Sequence, residues 1–162
     1  MARDAVERPN KGCRLMLVPH GAMILVIDGA KMSLFRNRGK DFAADLELAD
    51  QSTSYAASTS QLGTDKPGRS FSSTGRSRSA YQSTDFHQAE EDAFAAAGAE
   101  KLNGLASQSN LDFIIIAAPR VLGVMRRKYS PDFRKRLIAE IDKDYAGRPV
   151  ADVAELLRHH DA

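Results

Sequence analysis

Lys66, Arg69, Arg76 and Arg78 fall within Gly63–Ala80, the stretch GTDKPGRSFSSTGRSRSA, where the only acid is Asp65. Such a segment is suited to phosphate. Arginine presents a planar fork of donors, and glycine lets the backbone approach an anion closely. Ser70 and Phe71 lie among these cations, and Phe71 and Tyr81 offer faces on which bases stack. Each phosphate contact releases counterions and makes binding salt-dependent. The plainer alternatives are a solvated loop with no partner, or a loop that Phe71 packs down onto the body.

A second basic segment spans residues 120–136. It carries Arg120, Arg126, Arg127, Lys128, Arg134, Lys135 and Arg136 against Asp132, a charge of +6. Residues 66–84 carry +4, so a net charge of +2 leaves −8 in the rest of the chain. Two cationic segments in an acidic body point to an anionic partner. Arg120, Arg126, Arg127 and Lys128 therefore join Lys66, Arg69, Ser70, Phe71, Arg76 and Arg78 as candidate RNA- or phosphate-binding residues. Bases on a helix also form ordinary solvated faces, and that alternative stands for residues 126–136. Arg120 follows an apolar strand at the edge where open α/β sheets place ligands. It suits either an anion or a salt bridge.

Catalytic chemistry finds less support. A serine nucleophile needs an adjacent base and oxyanion donors. Ser70, Ser72, Ser73 and Ser79 lie in no Gly-x-Ser-x-Gly elbow. His87 with Glu90 or Glu91 forms an orienting pair or a simple helix-surface contact. Asp28, Glu47, Asp85 and Asp112 are the acids available to a two-metal nuclease, which requires carboxylates converging on ions about 4 Å apart. Asp28 is better explained by a turn and Asp112 by a strand edge. His159-His160 has no further ligand nearby in sequence, and Cys13 is the only cysteine, so no disulfide and no cysteine zinc cluster forms within the chain. No catalytic residue, metal or cofactor is expected.

These residues need elements to hold them. The length of 162 residues and a hydrophobic fraction of 43% fit one domain with one real core. Residues 1–12 read as a loose tail and 13–160 as a single α/β domain, interrupted by a basic Ser/Gly-rich loop over 51–84. Ala22–Asp28 is a strand buried on both faces, Asp28-Gly29 a hairpin turn, and Met32 and Leu34 the inward residues of a second strand. Leu46 and Leu48 suggest a third, completing an antiparallel meander. Residues 51–80 hold 13 Ser or Thr in 30 residues, too polar for an element of their own.

A helix follows, capped by Thr84 or Asp85 with Gln88 in capping-box spacing, and runs to about Leu105. Phe86, Ala89, Ala93 and Ala97 recur at helical steps, and so do Phe94, Gly98, Leu102 and Leu105. Leu111–Ala117 is a second apolar strand, parallel to an earlier one because a helix joins them. A short helix over 121–129 and a helix start at Ser130-Pro131 come next. Local periodicity leaves residues 137–141 open between helix and strand. Val150, Val153, Leu156 and Leu157 give a final amphipathic helix. The longest apolar run, Ala22–Ile27, is too short to span a membrane, and MARDAVERPNKG has no apolar export core. A cytoplasmic protein without membrane insertion is expected.

Five stretches, in this order and spacing, resemble the bacterial host attachment protein family: HGAMILVIDGAKMSLFRN, GTDKPGRSFSSTGRSRSA, TDFHQAEEDAFAAAGAEKLN, IIIAAPRVLGVMRRKYS and LIAEIDKDYAGRPVADVAELL. That family is similar to the middle domain of archaeal and eukaryotic peptide release factors. The resemblance implies an α/β fold with a mixed, mostly five-stranded sheet flanked by helices, of RNase H-like type, and it makes Leu137–Lys143 the last strand. Release factors carry a Gly-Gly-Gln motif before the long helix. Here Ser79-Ala80 matches the Ser-Ala-like stretch that follows it, and Ser77-Arg78 stands where Gly-Gln is expected. The glutamine is absent, which argues against peptidyl-tRNA hydrolysis. The resemblance therefore implies a non-catalytic module facing the ribosome or another RNA. Its alternatives are an attachment factor acting on host or cell-surface components, and a ribosome-rescue hydrolase.

Overall fold

The computed structural model describes residues 16–40, 43–54 and 78–160, the last with side chains from Asp85 onward. Two apolar runs lie at its centre. Met23–Ile27 (β1) and Phe113–Ala117 (β4) are buried at every residue. Continuous runs of this kind belong to strands covered on both faces. They pair in parallel, with Ile24 opposite Ile114 and Val26 opposite Ile116.

The other strands are added outward. Lys31–Asn37 (β2) returns antiparallel to β1 through a turn fixed by Asp28. The Asp28 Oδ1 accepts from the backbone N–H groups of Ala30 and Lys31, at 2.6 and 2.5 Å. Aspartate favours turns because it bonds its own backbone in this way. Leu46–Thr53 (β3) pairs antiparallel with β2, and Leu137–Ile141 (β5) pairs parallel with β4. The sheet order is β3-β2-β1-β4-β5, the mixed five-stranded α/β sheet that the resemblance implied. Residues 137–141 are a strand because Ala139–Ile141 find partners along Ile114–Ile116, a long-range contact invisible to local pattern.

Helices cover both faces. Arg78–Gln108 (α1), Pro119–Arg126 (α2) and Pro131–Arg136 (α3) follow in chain order, with Val150–His159 (α4) last. On one face Leu25, Ile27, Leu34 and Ile115 pack with Ala99, Leu102, Met125 and Phe133. On the other, Ile24, Val26, Ile116 and Ile141 pack with Val153, Leu156 and Leu157. Ser130 caps α3 by accepting from the Phe133 N–H at 3.1 Å, with Pro131 at the first position. Asn37 is fully buried and fully bonded. Its amide donates to the Val18 and Pro19 carbonyls, and its Oδ1 accepts from the Gly39 and Asp45 N–H groups.

Two expectations about α1 need correction. The helix begins at Arg78, so Thr84 and Asp85 lie inside it and do not cap it. Nothing in Ser79–Thr84 breaks a helix: no proline or glycine is present. The second correction concerns its faces. Phe94, Gly98, Leu102 and Leu105 turn inward as read, but Phe86, Ala89, Ala93 and Ala97 are exposed. The inward alanines are Ala95, Ala99 and Ala106.

Candidate nucleic-acid interface

Four strands run the same way and end at one edge of the sheet. Thr53 of β3 lies opposite Lys31, Ile27 of β1 opposite Met32 and Ala117, and Ile116 of β4 opposite Ile141 of β5. This is the carboxyl edge, where open α/β sheets present ligands. β3 ends there, and α1 approaches it from beyond. Residues 85–89 of α1 are all exposed, and the helix meets the edge at Glu91. A Cβ on Gly29 would lie 2.5 Å from the Glu91 Cγ, so the hairpin tip needs glycine to seat against the helix. Residues 78–90 therefore extend past the sheet by about 20 Å at 1.5 Å per residue.

Arg120 fastens this junction. Its Nη1 donates to Glu91 Oε2 at 2.8 Å and its Nη2 to Asp92 Oδ1 at 2.6 Å. The hydrogen bond to Asp92, then that to Glu91, raises the guanidinium pKa above its ordinary value. Both sequence alternatives for Arg120 concerned this edge, and the guanidinium is engaged by carboxylates.

The rest of the 120–136 segment is largely engaged too. Arg126 donates through Nε to Glu140 Oε2 at 2.9 Å, and its Nη2 lies 2.8 Å from the same oxygen. Lys135 lies 3.6 Å from Asp132. Arg134 donates to the Arg126 carbonyl and Arg136 to the Ser109 carbonyl. Arg127 and Lys128 are exposed and, among the described residues, form no ion pair. They also lie far from the start of α1. The Lys128 carbonyl accepts from Asn103 Nδ2 at 2.7 Å, and Asn103 is separated from Arg78 by about 37 Å of helix.

Lys66, Arg69, Ser70, Phe71 and Arg76 lie outside the described residues, as does the side chain of Arg78, whose backbone begins α1. His87 is exposed on the extended part of α1, 3.9 Å from Glu90. The four acids weighed for a nuclease do not converge. Asp28 is spent on its turn, Glu47 pairs with Arg38, and Asp85 is exposed on α1. Among the described residues, no three His, Cys, Asp or Glu side chains gather to hold a metal.

Sequence reasoning missed one cluster. Glu140 of β5, largely covered, takes Arg126 on Oε2 and the Tyr129 hydroxyl on Oε1 at 2.9 Å. Burial, then the bond to Glu140, pushes the Tyr129 phenol well above its ordinary range. Local pattern does not mark it, because Glu140 reads as the outward residue of an alternating strand beside Ala139 and Ile141.

A mixed α/β sheet sandwiched by helices, with a long helix overshooting its carboxyl edge, defines a release-factor-like domain. Residues 21–157 match the family described as bacterial archaeo-eukaryotic release factor family 12, and the chain belongs to that family. No curated protein matches it. Among the described residues, no helix is long and apolar enough to cross a membrane.

Proposed function

We propose that this protein is a non-catalytic release-factor-like module that binds RNA, on the ribosome or free, through the basic stretch 63–81. One juxtaposition supports the reading. β3 ends at the carboxyl edge of the sheet and α1 begins beyond that same edge, the one suited to ligands. That stretch carries Lys66, Arg69, Arg76 and Arg78 and lacks the Gly-Gly-Gln that peptide release requires. Arg127 and Lys128 are a second, separate phosphate contact in this reading.

Sedimentation of cell lysate through sucrose gradients at low and high salt tests it. The expected result is comigration with ribosomes or a subunit at low salt, lost at high salt and lost when Arg69, Arg76 and Arg78 are replaced by Ala. A protein that stays at the top of the gradient at both salts sinks the reading. Its recovery on the outer face of intact cells would then favour the attachment role. Release of peptide from stalled ribosomes by the purified protein would overturn the non-catalytic part.

A further inference from the structure

The overhanging start of α1 is aimed by very few contacts. Residues 78–90 extend about 20 Å beyond the sheet edge at 1.5 Å per residue, and residues 85–89 are all exposed. Among the described residues, Asp85–Glu90 make no side-chain bond to the body; His87 approaches only Glu90 of its own helix. A helical segment this short is marginal in water by itself, and nothing within it fixes its direction. The first described side chains of α1 to bond the body belong to Glu91 and Asp92. A tilt of about 10° at that point carries the backbone of Arg78 roughly 3–4 Å.

Two groups seat those side chains. The first is Arg120, whose Nη1 and Nη2 each hold one of the two carboxylates. Neighbouring residues point about 100° apart around a helix, so one planar fork that holds both fixes the rotation of α1 about its axis as well as its tilt. The base of the fork is rigid. Only Ala118 and Pro119 separate Arg120 from β4, proline fixes its own φ, and the Leu122 N–H closes the first turn of α2 on the Ala118 carbonyl at 3.1 Å. Leu122 and Met125 then bury α2 in the core. The second group is Gly29, at the tip of the β1–β2 hairpin. A Cβ there would lie 2.5 Å from Glu91 Cγ and 2.8 Å from Glu91 Cβ, so a side chain would push on the helix itself and not only on the end of the glutamate. Gly29 has no positive φ, and close approach alone accounts for the glycine.

We infer that Arg120 is a positioning residue: with Gly29 it forms a two-point seat that sets the direction in which α1 leaves the sheet, and thereby aims the basic stretch that leads into α1. The geometry rests on the contacts of Glu91 and Asp92, and the consequence for RNA rests on the reading proposed above. A guanidinium with both Nη groups on carboxylates supplies direction to the helix and not charge to a phosphate. A phosphate at this point would have to displace two carboxylates from one fork, whereas Arg127 and Lys128 form no ion pair among the described residues.

Two substitutions separate position from charge. R120A removes the fork, and G29A disturbs the seat with no change of charge. Direction is read without RNA, as the distance between spin labels at Gln88→Cys on the overhang and Ala151→Cys on α4, both exposed positions, in the full chain carrying Cys13→Ser. The distance distribution should be narrow in this parent and should broaden or shift in both variants. Affinity for a labelled single-stranded RNA should fall about fivefold in each, the effect of leaving roughly one molecule in five correctly aimed. The log–log salt slope should stay unchanged, because no phosphate contact is lost. An unmoved label distance in R120A overturns the inference. So does a loss of about 0.7 from the slope in R120A, which would mark Arg120 as a phosphate contact. Weaker binding by R120A with G29A like the parent also overturns it, since Arg120 would then act through its charge. The Arg120 side chain is about half exposed, and unchanged amide spectra of β1 and β4 would show that both variants fold. A parent chain that binds no RNA sinks the RNA reading, and the label distances then decide the seat of α1 by themselves.

Discussion

Tyr129 shows what a single side chain contributes. Its hydroxyl is held by Glu140, which Arg126 also grips, and its ring stacks at a tilt against Phe133 with centroids 4.8 Å apart. Replacement by Phe keeps the ring and removes the donor. A hydrogen bond to a charged group contributes roughly 1.5–3 kcal/mol, and Glu140 retains Arg126, so Y129F should cost about 1–2 kcal/mol at neutral pH. The pH dependence has a definite sign. The folded phenol titrates above its unfolded value near pH 10, so its contribution is complete below that value and is lost as pH rises beyond it. Urea unfolding of both proteins at about pH 7 and about pH 11 should show the gap between them narrowing at the higher pH. A constant gap would mean that the phenol is not coupled to folding.

At the level of elements, α1 is decided by how closely it sits on β1. A Cβ on Gly98 would lie 2.8 Å from Ile27 Cδ1 and 3.4 Å from Met32 Sδ, whereas one on Gly104 meets nothing within 4 Å. The two glycines of one helix should therefore respond in opposite ways. Gly104→Ala removes a flexible residue from a helix and should stabilise by roughly 0.5–1 kcal/mol. Gly98→Val forces added methyl groups into the buried contact and should cost about 2 kcal/mol. Thermal unfolding of both variants checks the pair, and a tolerated Gly98→Val would mean that α1 does not rest on β1 as described.

The same helix marks the limit of what its sequence discloses. Two stripes at identical spacing were readable, one through Phe86 and Ala93, the other through Phe94 and Leu102. Alanine suits a tight core and a solvated face equally, so periodicity alone could not choose between them. The strands were more legible. β1 and β4 are apolar without interruption, and the turn at Asp28 has its chemistry in the residue itself. Leu137–Ile141 stayed ambiguous because its strand state depends on Ile114–Ile116, more than twenty residues away. Charges were readable as totals but not as pairs: nothing in the order of residues joins Arg120 to Asp92 or Arg126 to Glu140.

For the whole molecule those pairs change what the charge pattern can do. The +6 of residues 120–136 suggests a strong phosphate-binding surface. In the fold, Arg120, Arg126 and Lys135 meet carboxylates, Arg134 and Arg136 meet carbonyls, and Arg127 and Lys128 form no ion pair among the described residues. Counterion release counts phosphates actually neutralised, with a slope of about −0.7 per contact on single strands. Binding of a labelled single-stranded RNA should thus lose about 1.4 from its log–log salt slope in R127A/K128A, and about 2.8 when Lys66, Arg69, Arg76 and Arg78 are all replaced by Ala. The basic stretch then outweighs the longer-looking cationic segment by about two to one, although it carries the smaller formal charge. A slope change near four when Arg126, Arg134, Lys135 and Arg136 are replaced along with Arg127 and Lys128 would require the ion pairs on the body to open upon binding. Intramolecular pairing, more than the number of bases, would in that case have been the wrong guide to where RNA binds in the proposed reading.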